Sequence, residues 1–271
     1  MATRRVLRYT GTAISCAALF SLSAYLLPTC RSLKRTADLT VETKHDAPES
    51  FRDIHLVRGL VNPRNYTETH DSRSVTLKLP TSPHQSDELL LSCLVKGFFG
   101  GWVFTPEGKA LSLARPADCK YTKLQGTTVP AHIWNASEIS DESLPPLHTV
   151  YFGQFRLANI QLADGGSAHS DEALIENMHG EEKESYVDFV YGSDLDTFAG
   201  CHRLSVQRVP LEDGESSQKA VFTLSCMACD PQVDHEIKPQ AIVTFHRIYA
   251  TMLFRDAVGN VIDKLKELSQ V

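Results

Sequence analysis

The feature that most limits how this chain can fold is a change of period near its end. Between Tyr186 and Cys229 apolar residues tend to alternate with polar ones, whereas from Pro239 to Leu268 they recur every three or four positions. The two-residue period sets Val187, Phe189 and Tyr191 on one side of a strand. The longer one lines Phe245, Ile248, Met252, Val258, Val261, Leu265 and Leu268 along one side of a helix, with Gly259-Asn260 the expected site of a kink. Strands that end in one long amphipathic helix have to bury the helix stripe against another layer.

Upstream, Ser74–Leu79 alternates as a first strand. Ser86 is placed to cap a helix, Asp87 and Glu88 suit its first turn, and Leu90, Leu91, Leu94 and Val95 carry it to about Phe98. Gly97, Gly100 and Gly101 break it, and Pro106 suits the start of a second short helix ending at Ala114. Further strands are expected over Tyr121–Val129, His148–Leu162, Tyr186–Gly192, Cys201–Val209 and Lys219–Cys229. Asp164–Ser185, with seven acids against Lys183 alone, reads as a solvated loop insertion. The expected fold is α+β: a curved antiparallel sheet of hairpins, gripping the C-terminal helix that closes its open face.

Charge is unevenly spread. The chain has 27 Lys and Arg against 33 Asp and Glu, and six of the basic residues fall within the first 35, which hold no acid. The rest therefore carries 21 against 33, a net of −12. A body so acidic repels phosphate backbones, which argues against nucleic acid as a partner. The basic head encloses Thr12–Leu27, sixteen uncharged residues. As a helix it would reach about 24 Å, short of a ~30 Å hydrocarbon core unless flanking residues help. An uncleaved N-terminal membrane helix is the preferred reading, since Pro28, Cys30, Arg31, Lys34 and Arg35 follow at once. A cleaved signal with a site near Ser21–Ala24 and a mitochondrial presequence remain alternatives. The anchor reading gives a single-pass membrane protein, endomembrane rather than mitochondrial, with basic residues on both sides leaving its orientation open. The divisions are then an anchor over 1–30, a polar linker over 31–70 and a folded body over 71–271.

The order strand, two short helices, run of strands, long closing helix, together with "YVDFVYGSDLDTFAGCHRLSV", resembles the helix-grip architecture of the START-like superfamily, which includes lipid-transfer proteins and polyketide cyclases. The likeness covers about residues 70 to 268 and looks closest to an uncharacterised branch with an aromatic-Tyr-Gly pair, a Gly-containing connector and a terminal amphipathic helix. No residue matches a well-defined catalytic motif of the superfamily, so the resemblance implies an internal cavity and no particular reaction.

Alternation in Cys201–Val209 turns His202, Leu204 and Val206 to one side and Cys201, Arg203, Ser205 and Gln207 to the other. The apolar set faces inward, placing His202 beside Phe189 and Tyr191, with Asp188 on the opposite face. His202 is then the candidate proton-transfer group or polar anchor, although a satisfied core histidine is the commoner role for such a residue. Tyr191, His202, Phe189 and Trp102 are the candidate ligand-binding residues. Adjacent Cys201 faces away from His202 and makes no dyad with it. Cys226-Met-Ala-Cys229 ends a strand rather than opening a helix and lacks a second ligand pair, so neither redox nor zinc chemistry is expected. His235-Glu236 lacks the second His of a zincin. No metal and no cofactor are assigned. Asn65-Tyr66-Thr67 and Asn135-Ala136-Ser137 are glycosylation sequons, relevant if the body is lumenal.

The leading expectation is a membrane-anchored domain that encloses an apolar small molecule or lipid between sheet and helix. The alternatives are a cyclase-like enzyme or accessory factor in small-molecule biosynthesis, a hot-dog thioesterase-like protein, and a scaffold that binds protein through its acidic loop. The C-terminal position of the longest helix weakens the thioesterase reading.

Overall fold

The computed structural model describes residues 25–80, 82, 84–116, 119–163, 184–210 and 218–270. The expected anchor thus lies almost wholly outside the described residues, as does nearly all of the acidic loop. The fold is α+β, a large mixed sheet with a C-terminal helix. The helices are α1 (residues 25–34), α2 (Glu49–Arg52), α3 (Asp87–Gly100), α4 (Thr105–Ala114) and α5 (Gln240–Leu268). The strands are β1 (Glu42–Lys44), β2 (Glu68–Lys78), β3 (His132–Ile133), β4 (Val150–Tyr151), β5 (Phe155–Gln161), β6 (Glu184–Gly192), β7 (Ala199–Val209) and β8 (Lys219–Cys229). They form one sheet in the order β1-β2-β8-β7-β6-β5-β4-β3. Every pairing is antiparallel except the two-residue contact of β3 with β4.

Sequence cues explain the main elements. Ser86 caps α3 by accepting the Leu89 amide at 3.2 Å. Pro106 occupies the first turn of α4, where its missing N–H leaves no bond unmade. α5 runs unbroken through Gly259-Asn260, the expected kink. Both residues instead serve contacts: a β-carbon on Gly259 would stand 2.9 Å from Arg35 Nε, and Asn260 Nδ2 donates to Cys93 O of α3 at 2.8 Å. Where α3 crosses α5, a β-carbon on Gly97 would come within 2.6 Å of Ala257 Cα.

Both faces of the sheet are covered. On the front, Leu91, Leu94, Phe98 and Phe99 of α3 and Leu253, Phe254, Val258 and Val261 of α5 pack with Leu157, Val187, Phe189, Leu204, Phe222 and Leu224. On the back, Phe51, Leu56, Val57, Leu60 and Val61 pack with Val190, Cys201, Met227 and Cys229.

That second layer corrects the expectation of a polar linker over 31–70. β1 pairs with β2 at Ser72–Ser74, a π-helical turn spans Leu56–Val61, and Leu33, Leu39 and Val41 pack on the front core. Asp256 of α5 accepts from Ser32 Oγ, from Arg35 Nη2 at 2.9 Å and from the Val103 amide at 2.9 Å, tying α1 and the α3–α4 turn to one carboxylate.

Two strand expectations fail, one because the segment pairs with no strand among the described residues and one because a turn interrupts it. Tyr121–Val129 holds a 3-10 turn at Thr122–Leu124, because Tyr121 crosses the back of the sheet and donates its hydroxyl to Tyr191 O at 2.7 Å. His148–Leu162 is split by a turn in which Phe152 and Gly153 take φ of 52° and 69°. Among the described residues no single helix is long and apolar enough to cross a membrane. α3 and α4 pass that test only as a pair bent by 72°, and α3 belongs to the front core.

Replacing Gly97 with Val should lower the free energy of unfolding by about 1–3 kcal/mol, the usual range for overpacking. Urea melts measure this, and an unchanged midpoint would mean that the two helices do not meet so closely.

Candidate functional site

The structure brings three of the four candidate ligand residues together. Across the front of the sheet, Asp71 of β2, Cys226 of β8, His202 of β7, Phe189 of β6 and Leu157 of β5 are successive register partners. Strand alternation turns all five toward α3 and α5, and sends Arg203, Asp188 and Cys201 to the back as their positions predict.

Around His202 the interior is filled with rings. Its centroid lies 4.6 Å from Tyr191, 5.9 Å from Phe98, 6.3 Å from Phe155 and 5.9 Å from His246 of α5. Half-exposed Phe198, at 5.7 Å from Tyr191, continues this stack to the surface. Tyr191 spends its hydroxyl on Met227 O at 3.1 Å.

Beside the rings sits a buried polar cluster. Arg73 pairs with Asp71, donates through Nε to Thr251 Oγ1 at 2.8 Å and through Nη2 to Arg247 O at 2.9 Å, and approaches Cys226 Sγ at 3.8 Å. Arg247 Nε lies 3.6 Å from Asp71 Oδ2. The network ties β2 to the middle of α5, so the arginine, though wholly buried, has its charge and donors met.

These surroundings set the chemistry. Burial, then the neighbouring His246 and Arg73, hold the His202 pKa well below the usual histidine value. Its ring is neutral, and Nδ1 has no hydrogen-bond partner among the described residues. Burial, reinforced by Asp71, pushes the Cys226 thiol well up, and burial with Asp188 does the same for Cys201. Neither thiol is a ready nucleophile. Cys226 faces the front and Cys229 the back, so the Cys-x-x-Cys pair shares no site. Among the described residues no group of three or more His, Cys, Asp or Glu could hold a metal ion.

Behind the sheet, Arg203 donates to both carboxylate oxygens of Asp188, at 2.7 and 2.8 Å, and its guanidinium lies 3.5 Å from the centre of the Tyr186 ring. Burial opposes its charge, yet Asp188 drives the Arg203 pKa above its ordinary value. The Arg of the Cys-His-Arg triplet is therefore a structural ion pair and not part of the front site.

Trp102 is not among the rings about His202. It stands half-exposed on the turn between α3 and α4, because Phe99 and Phe104 take the inward positions of that segment. Both sequon asparagines are exposed. Asn65 accepts from Arg58 at 2.9 Å, and Asn135 donates to Glu138 at 2.6 Å.

Sequence reasoning missed Asp71, Arg73, Cys226, His246, Phe98 and Phe155 as neighbours of His202. Knowing the β7–β8 register would have set Cys226 opposite His202, but that register depends on a connector whose length alone does not fix it.

Open space lies elsewhere on the front. A groove of about 510 Å³ runs where the last turns of α5 pass the end of β2, lined by Leu77, Leu79, Pro80, Ile262 and Leu265, with Lys78, Lys266, Ser269 and Gln270 also along it. It exists because β1 pairs only with Ser72–Ser74, so the rest of the β2 edge has no strand beside it among the described residues. Compared with protein-family models, curated proteins and solved structures, the chain gives no match.

The neutral His202 makes a pH prediction. Its pKa is lowered in the folded state, so the unfolded chain binds more protons, and stability falls as pH drops below about 6.5. His246, lowered chiefly by burial with Asp71 working against the shift, acts in the same direction. His202→Gln should flatten this fall when urea midpoints at about pH 7.5 and 5.5 are compared. A slope equal to that of the native chain would assign the titration elsewhere.

Proposed function

We propose that this chain is a helix-grip domain of the START-like kind, held at a membrane by its N-terminal apolar segment, and that it binds an amphiphilic, lipid-like molecule. The element order supports the helix-grip reading: one long strand, two helices, a run of strands and a closing helix, with the first long strand (β2) paired to the last (β8). The observation that carries the ligand reading is the groove between α5 and the β2 edge. Its size lies within the roughly 300–1,000 Å³ of small-molecule sites. Leu77, Leu79 and Leu265 belong to the main core, so an apolar chain laid there extends buried surface, while Lys78 and Lys266 suit an anionic head group. The ligand therefore occupies an open cleft rather than the enclosed hollow expected beside His202, where aromatic rings fill the space.

A second reading gives His202 a proton-transfer role, favoured by its neutral ring and unpartnered Nδ1. It requires the first turns of α5 to swing outward before any substrate reaches the ring.

Titration with a fluorescent fatty acid, alongside mass spectrometry of lipid extracted from the purified chain, tests the main reading. Ile262→Trp, which fills the groove from a half-buried position, should weaken binding by about tenfold. Lys78→Gln with Lys266→Gln should cost only about threefold, because both amines are exposed. No bound lipid and no titratable site would remove the function. Native affinity in Ile262→Trp would remove the groove as its location.

A further inference from the structure

The first three turns of α5 carry an apolar stripe that nothing among the described residues covers. Ile242, Phe245 and Ile248 are 57%, 68% and 58% exposed, whereas core-facing positions of the same helix such as Ala250, Leu253 and Phe254 are buried. At 100° per residue, Ile242, Phe245, Ile248 and Tyr249 fall within a sector of about 120°, facing away from Val243 and Ala250. The Phe245 and Tyr249 rings stack at 6.1 Å. From Lys238 to Arg255 the sequence holds no acid.

The stripe borders the place where the apolar N-terminal segment enters the fold. Tyr25, the first described residue of α1, directs its hydroxyl at Val103 O, 3.5 Å away. Burial first, then Glu107 and Tyr25, push the Tyr249 hydroxyl pKa up, which sets Tyr25 and Tyr249 in one neighbourhood. Tyr249 donates to Glu107 Oε2 at 2.7 Å and so ties the stripe to α4. Leu26 and Leu27 on α1 are exposed, as is Trp102 one residue before Val103. Residues 25–27, the described end of the apolar segment, therefore enter the fold beside the exposed stripe.

We propose that the Ile242, Phe245 and Ile248 face of α5 rests on the bilayer surface, lying in the interfacial layer beside the N-terminal segment. The inference rests on the reading of residues 12–27 as a membrane anchor and adds the orientation of the folded body. Three large apolar side chains leaving water, with Trp102 at the rim, suit an interfacial helix face. The turns that carry the stripe hold no acid of their own, and the neighbouring Glu107 carboxyl is engaged by the Tyr249 hydroxyl, which limits repulsion from lipid phosphates.

The test uses the full chain reconstituted into phosphatidylcholine vesicles whose acyl chains are brominated or plain, after the vesicles are floated to establish association. Phe245→Trp adds one emitter on the stripe, and Glu49→Trp adds one on the layer covering the opposite side of the sheet. With the emission of the native chain subtracted, brominated lipid should cut the Trp signal at position 245 by at least about half and leave that at position 49 unchanged. Flotation with neither signal quenched, or with both quenched alike, overturns the orientation and leaves the anchor standing. A chain that stays out of the vesicle fraction overturns the anchor reading and this inference with it.

Discussion

The contact between Gly97 and the Ala257–Asn260 turn governs what the front of the sheet can hold. Helices normally lie 8–10 Å apart, and the missing side chain lets α3 and α5 approach until backbone meets backbone. Two helices can then share one face without a third layer. Because the crossing lies past the middle of α5, its last turns reach the edge of β2 and leave the groove. Its first turns set His246 against His202 of β7 and Arg247 against Asp71 of β2, and Val243 is the one buried residue there before Ala250. The groove, the lid over His202 and the uncovered stripe are three results of a single crossing point.

Buried charge plays a matching part on each side of the sheet. Asp188–Arg203 lies behind β6 and β7, and Asp71–Arg73 lies in front of β2. Such pairs add little net stability over apolar packing, since removing both charges from water is costly. What they do add is register. A slip of β6 against β7 by one residue would turn Asp188 to the front and strand Arg203 among apolar neighbours. His202 faces Phe98 and α5 because its neighbour Arg203 is held behind.

Legibility followed the range of the interactions involved. β8, α4 and α5 emerged within a residue or so of their expected bounds, and the alternation of His202 with Arg203 came out on the expected faces, because period and capping are local properties. Trp102 was misplaced for the opposite reason. Which of the aromatic residues in "GFFGGWVF" turn inward depends on where α3 breaks and on Asp256 holding the Val103 amide from a distant helix.

Residues 31–70 look like a tether in sequence because polar residues outnumber apolar ones there. Their few large side chains, Phe51, Leu56, Val57, Leu60 and Val61, nonetheless shield the back of β6, β7 and β8. By itself the sequence determined the α+β class, the order of its long elements and which side chains of β6 and β7 share a face, since these follow from hydrophobic period. Only the tertiary structure decided that the site about His202 is packed with rings, that the open space lies at the β2 edge, and that Asp71, Arg73 and His246 join it. Those outcomes come from register, from helix crossing and from chain segments more than a hundred residues apart, and no local pattern carries that information.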